Sequence, residues 1–148
     1  MATYYSNVAA VQLTDTTGKL RPTDLGGRVR VIHGVYTASG SEEEGCEVIL
    51  AKIPQGARLL NISKLCFRVG ENTDAYVKAR CNENVSNVTS GKLVDDGSNR
   101  VEITNFDELD TADYIASGET EIFVKFEEGS APPSAGNYLR FDIFYVVD

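Results

Sequence analysis

The sequence predicts an all-β, jelly-roll-like antiparallel β-sandwich that carries an extended N-terminal arm. Three observations predict this fold. Apolar residues recur with a period of two in short segments, turn-forming residues separate these segments, and no sustained helical period runs through them. Seven or eight such segments favour a sandwich or jelly roll, with a small closed barrel as the competing layout. We therefore divide the chain into an arm, 1–27, and a single sandwich domain, 28–148.

The arm is polar, rich in threonine, and interrupted by Gly18, Pro22 and Gly26. Its apolar side chains follow no sustained period, so we expect extended chain rather than a helix. A tyrosine suits an interface because its ring is apolar and its hydroxyl is polar. We expect the arm to contact a partner or a sister subunit through Tyr4, Tyr5, Val8, Val11, Leu13, Leu20, Arg21 and Leu25. The alternative is that the arm packs on its own domain.

The first half of the domain contains four segments with strand patterns, 28–37, 47–53, 57–69 and 75–81. Within 28–37, Val29, Val31, His33 and Val35 share one face. The 57–69 segment has apolar residues on both faces, which indicates burial on both sides or a bulge that switches faces. We expect His33 to be a half-buried strand residue.

The second half begins with a polar loop, 82–99, in which 92–94 is a candidate short strand. Residues 100–104 follow as a strand with Val101 and Ile103 directed inward. Asp107 is a candidate N-cap for one helical turn within 107–116. The segments 120–127 and 139–147 alternate most clearly. Their shared faces are Ile122, Val124 and Phe126 in the first, and Leu139, Phe141, Ile143, Tyr145 and Val147 in the second. Because the terminal segment is so apolar, we expect it to lie inside a sheet.

The charge and the apolar runs exclude several classes of function. The 148 residues include 14 Lys and Arg against 22 Asp and Glu, and the net charge is −8. Such a chain repels phosphate backbones, so we expect no nucleic-acid partner. No stretch approaches 18 apolar residues, and the N-terminus lacks a basic, then apolar, signal pattern. We expect no membrane partner and synthesis without secretion.

Residues with chemical potential are few. The sequence has one histidine and three cysteines, Cys46, Cys66 and Cys81, with no C-x-x-C motif and no glycine-rich phosphate loop. The acidic runs at 42–44 and 95–96 lack the alternating spacing of a calcium loop, so we interpret them as solvated loops. We therefore expect no enzyme, no catalytic residue, no bound metal and no cofactor.

The order of the segments resembles a known family. An arm opening MAT leads to LGGRVRVIHGVYTAS, then to EVILAKIPQGARLLNISKL, and the chain closes with LRFDIFYVVD. This order resembles the head decoration, or cement, proteins of tailed bacteriophages. The resemblance covers most of the chain and is weakest between residues 70 and 118. It implies a jelly-roll-like sandwich and a structural role.

In that family, the protein binds the outer surface of the expanded capsid and stabilises contacts between shell subunits. The resemblance thus implies the major capsid protein as partner, assembly in the cytoplasm of a bacterial host, and a homo-oligomer, with a trimer favoured and a dimer as the other option. The alternative function is a carbohydrate- or receptor-binding module on the virion. Exposed aromatic residues in the loops would favour this alternative. The loops at 82–99 and 128–138 contain a single aromatic residue, Tyr138.

Overall fold

A computed structural model describes residues 2–7, 9, 29–70, 72–89, 91–93, 95, 102–106, 114–116 and 118–147. This part of the chain contains eleven strands in two sheets. The strands are β1 (Thr3–Tyr5), β2 (Val29–Thr37), β3 (Glu47–Ile53), β4 (Ala57–Leu59), β5 (Lys64–Arg68), β6 (Ala75–Cys81), β7 (Asn84–Asn87), β8 (Glu102–Asn105), β9 (Tyr114–Ile115), β10 (Thr120–Phe126) and β11 (Tyr138–Val147). The sheets pack face to face, which confirms the predicted all-β sandwich.

The first sheet has the strand order β1-β3-β10-β6-β7. Its pairs are antiparallel except that β1 runs parallel to β3. The pairing of β3 with β10 shifts register between Ile122 and Phe123, and Leu50 is the extra residue on the β3 side. Because of this bulge, β3 switches parity: Leu50 and Ala51, which are neighbours in sequence, both belong to the core, while Ile49 lies on the outer face opposite Phe123.

The second sheet is built around β11. Strand β2 pairs along one edge of β11, and β5 and β4 pair in succession along the other. Strand β8 lies beyond β5, and β9 lies beyond β4. The turn at Asn61 and Ile62 separates β4 from β5, so the predicted single strand at 57–69 is two strands. The turn, rather than burial on two sides, explains why apolar residues occur there on both parities.

The core lies between the two sheets and follows the predicted alternation. In β10, Ile122, Val124 and Phe126 are buried as predicted. In β11, the buried set begins with Leu139 and Phe141 and includes Ile143, while Tyr145 is partly buried against it. The largest fully buried side chains are Phe67, Phe106, Phe126, Phe141, Ile49, Leu50, Ile53, Leu59, Leu65, Ile122, Ile143 and Val48.

Several local predictions are wrong. Strand β7 lies in the segment predicted as loop, because its polar sequence NVSN carries no apolar alternation. Leu93 is buried, but the candidate strand near it is absent among described residues 92 and 93. Ile103 points outward and is 63% exposed. Val101, the helical turn proposed at Asp107 and residue 28 lie outside the described residues.

Candidate functional site

The two tyrosines of the predicted contact set lie in β1. Tyr4 pairs with Val48 and Tyr5 with Ile49 in the β3 register. The Tyr4 ring is tilted against the Tyr36 ring, with 6.2 Å between their centroids. Both tyrosines are partly buried, Tyr4 against the core and Tyr5 against the outer cluster of Ile49 and Phe123. At this end the chain packs on its own domain, which is the alternative that the sequence left open.

After β1, Asn7 and Ala9 have helical backbone, so the prediction of an extended arm without helix is wrong here, and Ala9 packs against Ile49 and Phe123 on the outer face of the first sheet. The Ser6 hydroxyl donates a hydrogen bond to the Leu50 carbonyl and accepts one from the Ala9 N–H at 3.0 Å. The Asn7 side-chain carbonyl accepts a hydrogen bond from the Val35 N–H at 2.9 Å, which joins this segment to β2. The rest of the predicted set, Val8, Val11, Leu13, Leu20, Arg21 and Leu25, lies outside the described residues.

An ion-pair network occupies the same outer face. The Arg80 guanidinium donates to both carboxylate oxygens of Glu47, at 2.9 and 3.1 Å, and to one of Glu121, at 2.8 and 3.0 Å. It also lies 4.4 Å above the centre of the Phe123 ring. Hydrogen bonding to Glu47 raises the pKa of Arg80 further above its usual range. The Arg80 guanidinium already has two carboxylate partners, so it offers little to a ligand.

A second buried carboxylate organises the loop between β2 and β3. Glu42 accepts hydrogen bonds from the Tyr36 hydroxyl and from the N–H groups of Ser39 and Gly40, at 3.0 and 2.9 Å. Burial alone raises the pKa of Glu42, but these hydrogen bonds outweigh burial and lower it. Burial, and to a smaller extent the hydrogen bond to Glu42, raises the pKa of Tyr36. The predicted solvated loop at 42–44 therefore holds one buried, structural carboxylate.

The prediction that the acidic run at 95–96 is a solvated loop is wrong for Asp95. This residue is buried and accepts hydrogen bonds from the N–H groups of Val69 and Gly70, both at 3.0 Å, and from the Arg68 side chain at 3.4 Å. These bonds cap the end of β5. In the described part of the chain, no three His, Cys, Asp or Glu side chains are grouped so that they could hold a metal ion.

The outer face of the second sheet is different, since it exposes apolar side chains. Val29, Val31 and Val35 project from β2, and Ile103 projects from β8 at the far side. Ile62, in the turn between β4 and β5, is also exposed. Of the exposed large hydrophobic residues in the described part of the chain, Val85 alone lies on the first sheet. Such a concentration on one face is typical of an interaction surface.

One row of polar residues crosses this apolar face, and the row beside it is mixed. The strand register places His33, Asp142, Lys64 and Asn105 side by side across β2, β11, β5 and β8. Asp142 contacts the His33 imidazole at Nδ1 and the Lys64 ammonium at 4.0 Å. The neighbouring row is Val35, Arg140, Cys66 and Ile103. His33 is 65% exposed at its side chain, so the prediction of a half-buried histidine is wrong.

The sequence analysis missed this face. The alternation in β2 was visible, but parity alone does not say which of the two faces points to the core. Gly34 and Tyr36 lie on the buried side with Ile32, and the valines lie on the exposed side. None of the three cysteines forms a disulfide, and burial raises the pKa of the Cys46 thiol. Within the described residues, no helix has the length and apolarity to span a membrane.

Comparison with known proteins bears on the fold. No protein-family model matches the sequence, and no curated protein matches it. A search of solved structures finds a similar chain in the capsid of Ralstonia phage GP4, with a TM-score of 0.65 and 16% sequence identity. The match covers 99% of this chain and 99% of that chain. The two proteins therefore share one fold from end to end.

Proposed function

We propose that this protein is a bacteriophage virion structural protein that binds the outer surface of the expanded capsid and stabilises contacts between shell subunits. The observation that supports this most is the end-to-end fold likeness to a chain of a phage capsid. That likeness spans the whole of both chains, so it is not the sharing of a common subdomain. The sequence resemblance to head decoration proteins supports the same function from different evidence.

The proposed mechanism is thermodynamic linkage. A protein that binds the expanded lattice but not the unexpanded one stabilises the expanded state by its binding free energy. Each contact with the major capsid protein can be weak, because several contacts made by one assembly raise the effective concentration of the others. A sandwich with a continuous core suits this role, since it transmits load between its contacts without unfolding.

The arm forms part of this proposal. We place the shell contact in the segment that contains Val8, Val11, Leu13, Leu20, Arg21 and Leu25. Tyr4 and Tyr5, which pack on the sandwich, would anchor the beginning of that segment to the domain. An extended segment covers a large surface of a neighbour and pays the entropy of ordering when it binds.

The decisive experiment is co-sedimentation with heads of the source phage. We expect saturable binding to expanded heads at a fixed number of copies per shell subunit, and no binding to unexpanded heads. The triple variant Leu13→Ser, Leu20→Ser, Leu25→Ser tests the arm and should lose most of this binding. Val85→Thr, an exposed substitution on β7, is the matched control and should bind normally.

Two outcomes would contradict these proposals separately. If neither kind of head binds under any ionic condition, the capsid role is wrong, and a screen of glycans and host surface components becomes the next test. If the triple variant binds as well as the control, the capsid role stands, but the arm is not the contact. Circular dichroism of each variant verifies that the sandwich is folded.

A further inference from the structure

The outer face of the second sheet combines exposed apolar residues with basic ones. We define the valine face as Val29, Val31, Val35, Phe144 and Ile103, with the basic residues Lys64 and Arg140 among them. Arg140 is exposed, and Lys64 is partly exposed beside Asp142. This basic surface lies on a chain whose net charge is −8. Asp142 lies beside Lys64 on the same face and offsets one of the two positive charges, so Lys64, Arg140 and Asp142 together carry a net charge of +1, opposite in sign to that of the whole chain.

A cluster of acidic residues lies at one end of the sandwich, where two loops meet. Glu43 and Glu44 belong to the loop after β2, and Glu127 and Glu128 belong to the loop after β10. The Glu44 carboxylate accepts a hydrogen bond from the Gly129 N–H, which holds the loops together. An added Cβ on Gly45 would come within 2.6 Å of the Glu128 side chain. We call these four glutamates the acidic corner.

We propose that the valine face binds the acidic corner of a second copy of this chain. The two surfaces are on different parts of the molecule, so the contact is head-to-face, and repeated contacts of this kind close into a ring when the rotation permits. The alternative, valine face on valine face, offers only Asp142 as an acidic partner for Lys64 and Arg140 of the other copy, whereas the acidic corner offers four glutamates. Opposite charges on the two surfaces favour the head-to-face arrangement.

The size of the face is compatible with such a contact. Four strands about 4.8 Å apart, each several residues long at about 3.3 Å per residue, give a surface on the order of 500 Å². A stable interface buries roughly 800 Å² per partner, and loops at the rim would supply the remainder. The exposed valines provide apolar burial at the centre, and the charges select the orientation.

Sedimentation velocity across a dilution series tests the proposal without any capsid. The wild-type chain should form a closed oligomer. The face variant combines Arg140→Glu with Thr37→Glu, since Thr37 is exposed at the end of β2 on the same side as Val35. It should weaken association about tenfold or more, because acidic residues would then oppose the acidic corner. The corner variant, Glu43→Lys with Glu128→Lys, should weaken it similarly. All four substitutions in one chain reverse both surfaces and should restore association.

The apolar contribution is tested separately. Val31→Thr keeps a β-branched residue in the strand and should weaken association, whereas Val85→Thr, on the first sheet, should not. Glu83→Lys controls for a change of net charge away from the corner.

Three results would overturn the proposal. A wild-type chain that stays monomeric at every concentration contradicts self-association. A corner variant that associates like the wild type indicates face-to-face pairing. A fourfold variant that remains dissociated shows that the two surfaces do not meet. None of these results depends on head binding, so this inference and the proposed capsid role can fail independently.

Discussion

The two sheets of the sandwich share a core, but their outer faces differ in whether apolar side chains are covered or exposed. On the first sheet, the chain covers part of its own outer face: Tyr5 and Ala9 pack against Ile49 and Phe123, and Arg80 pairs with Glu47 beside them. Phe123 is only 3% exposed although it points away from the core. On the second sheet, Val31 occupies a comparable outward position and remains more than half exposed.

This difference separates the apolar residues that stabilise the fold from those that are available for binding. An apolar residue that the chain covers contributes to the free energy of folding. An apolar residue left exposed contributes little to folding, and burial against another molecule can recover its hydrophobic free energy. We therefore regard the first sheet's outer face as structural and the second sheet's outer face as available for binding.

The largest expected effect compares the two faces directly. Phe123→Ala removes a buried aromatic ring and should lower the free energy of unfolding by about 3–5 kcal/mol. Val31→Ala removes an exposed side chain and should change it by about 0.5 kcal/mol or less. Urea denaturation of both variants measures the difference. Equal losses would mean that the valine face is covered in the folded chain.

A smaller effect is expected when the same substitution is made in two arginines. Arg80→Met leaves the Glu47 carboxylate buried without its partner and should cost about 1–3 kcal/mol, since water partly solvates Arg80. Arg140→Met, on the valine face, should change the free energy of unfolding by about 0.5 kcal/mol or less. Adding Glu47→Met to Arg80→Met should recover part of the loss. A double variant no more stable than the single one would argue against an ion-pair origin.

The smallest effect concerns the loop that connects the sheets. Because the pKa of Glu42 is lowered in the folded chain, its ionised form stabilises the fold above its ordinary pKa of 4.5, and this stability is lost as the pH falls through the folded pKa. Glu42→Gln should cost about 1 kcal/mol at neutral pH and little at low pH. Val85→Thr, which changes no titratable group, is the control and should keep the pH dependence of the wild type. Thermal melts from neutral to acidic pH measure both.

The predicted strands were most accurate where apolar residues are frequent and turn-forming residues bound the segment. Segment 47–53 and segment 75–81 were predicted with their exact limits, and the inward face of β10 was predicted correctly. The errors occur where alternation is weak or polar. Strand β7 forms because Lys78–Cys81 of β6 offer it backbone partners, which a local pattern of polar residues does not reveal.

The candidate site was less predictable than the fold. Tyr4 and Tyr5 were singled out as partner contacts because no strand pattern surrounds them, yet β3 accepts them as a parallel edge strand. The valine face was not identified, because Val31 and Ile32 are equally apolar and only one of them can face the other sheet. Whether the arm binds a partner stays a prediction.

The sequence by itself determined the class of the fold, since a period of two and frequent turns are local properties of the chain. It also determined the acidic net charge and the apolar composition of each strand. The tertiary structure decided which side of each strand meets the opposite sheet, because that depends on partners far along the chain, such as Asp142 beside His33. For the same reason, only the structure brought valines, arginine and lysine from separate strands together on one exposed face.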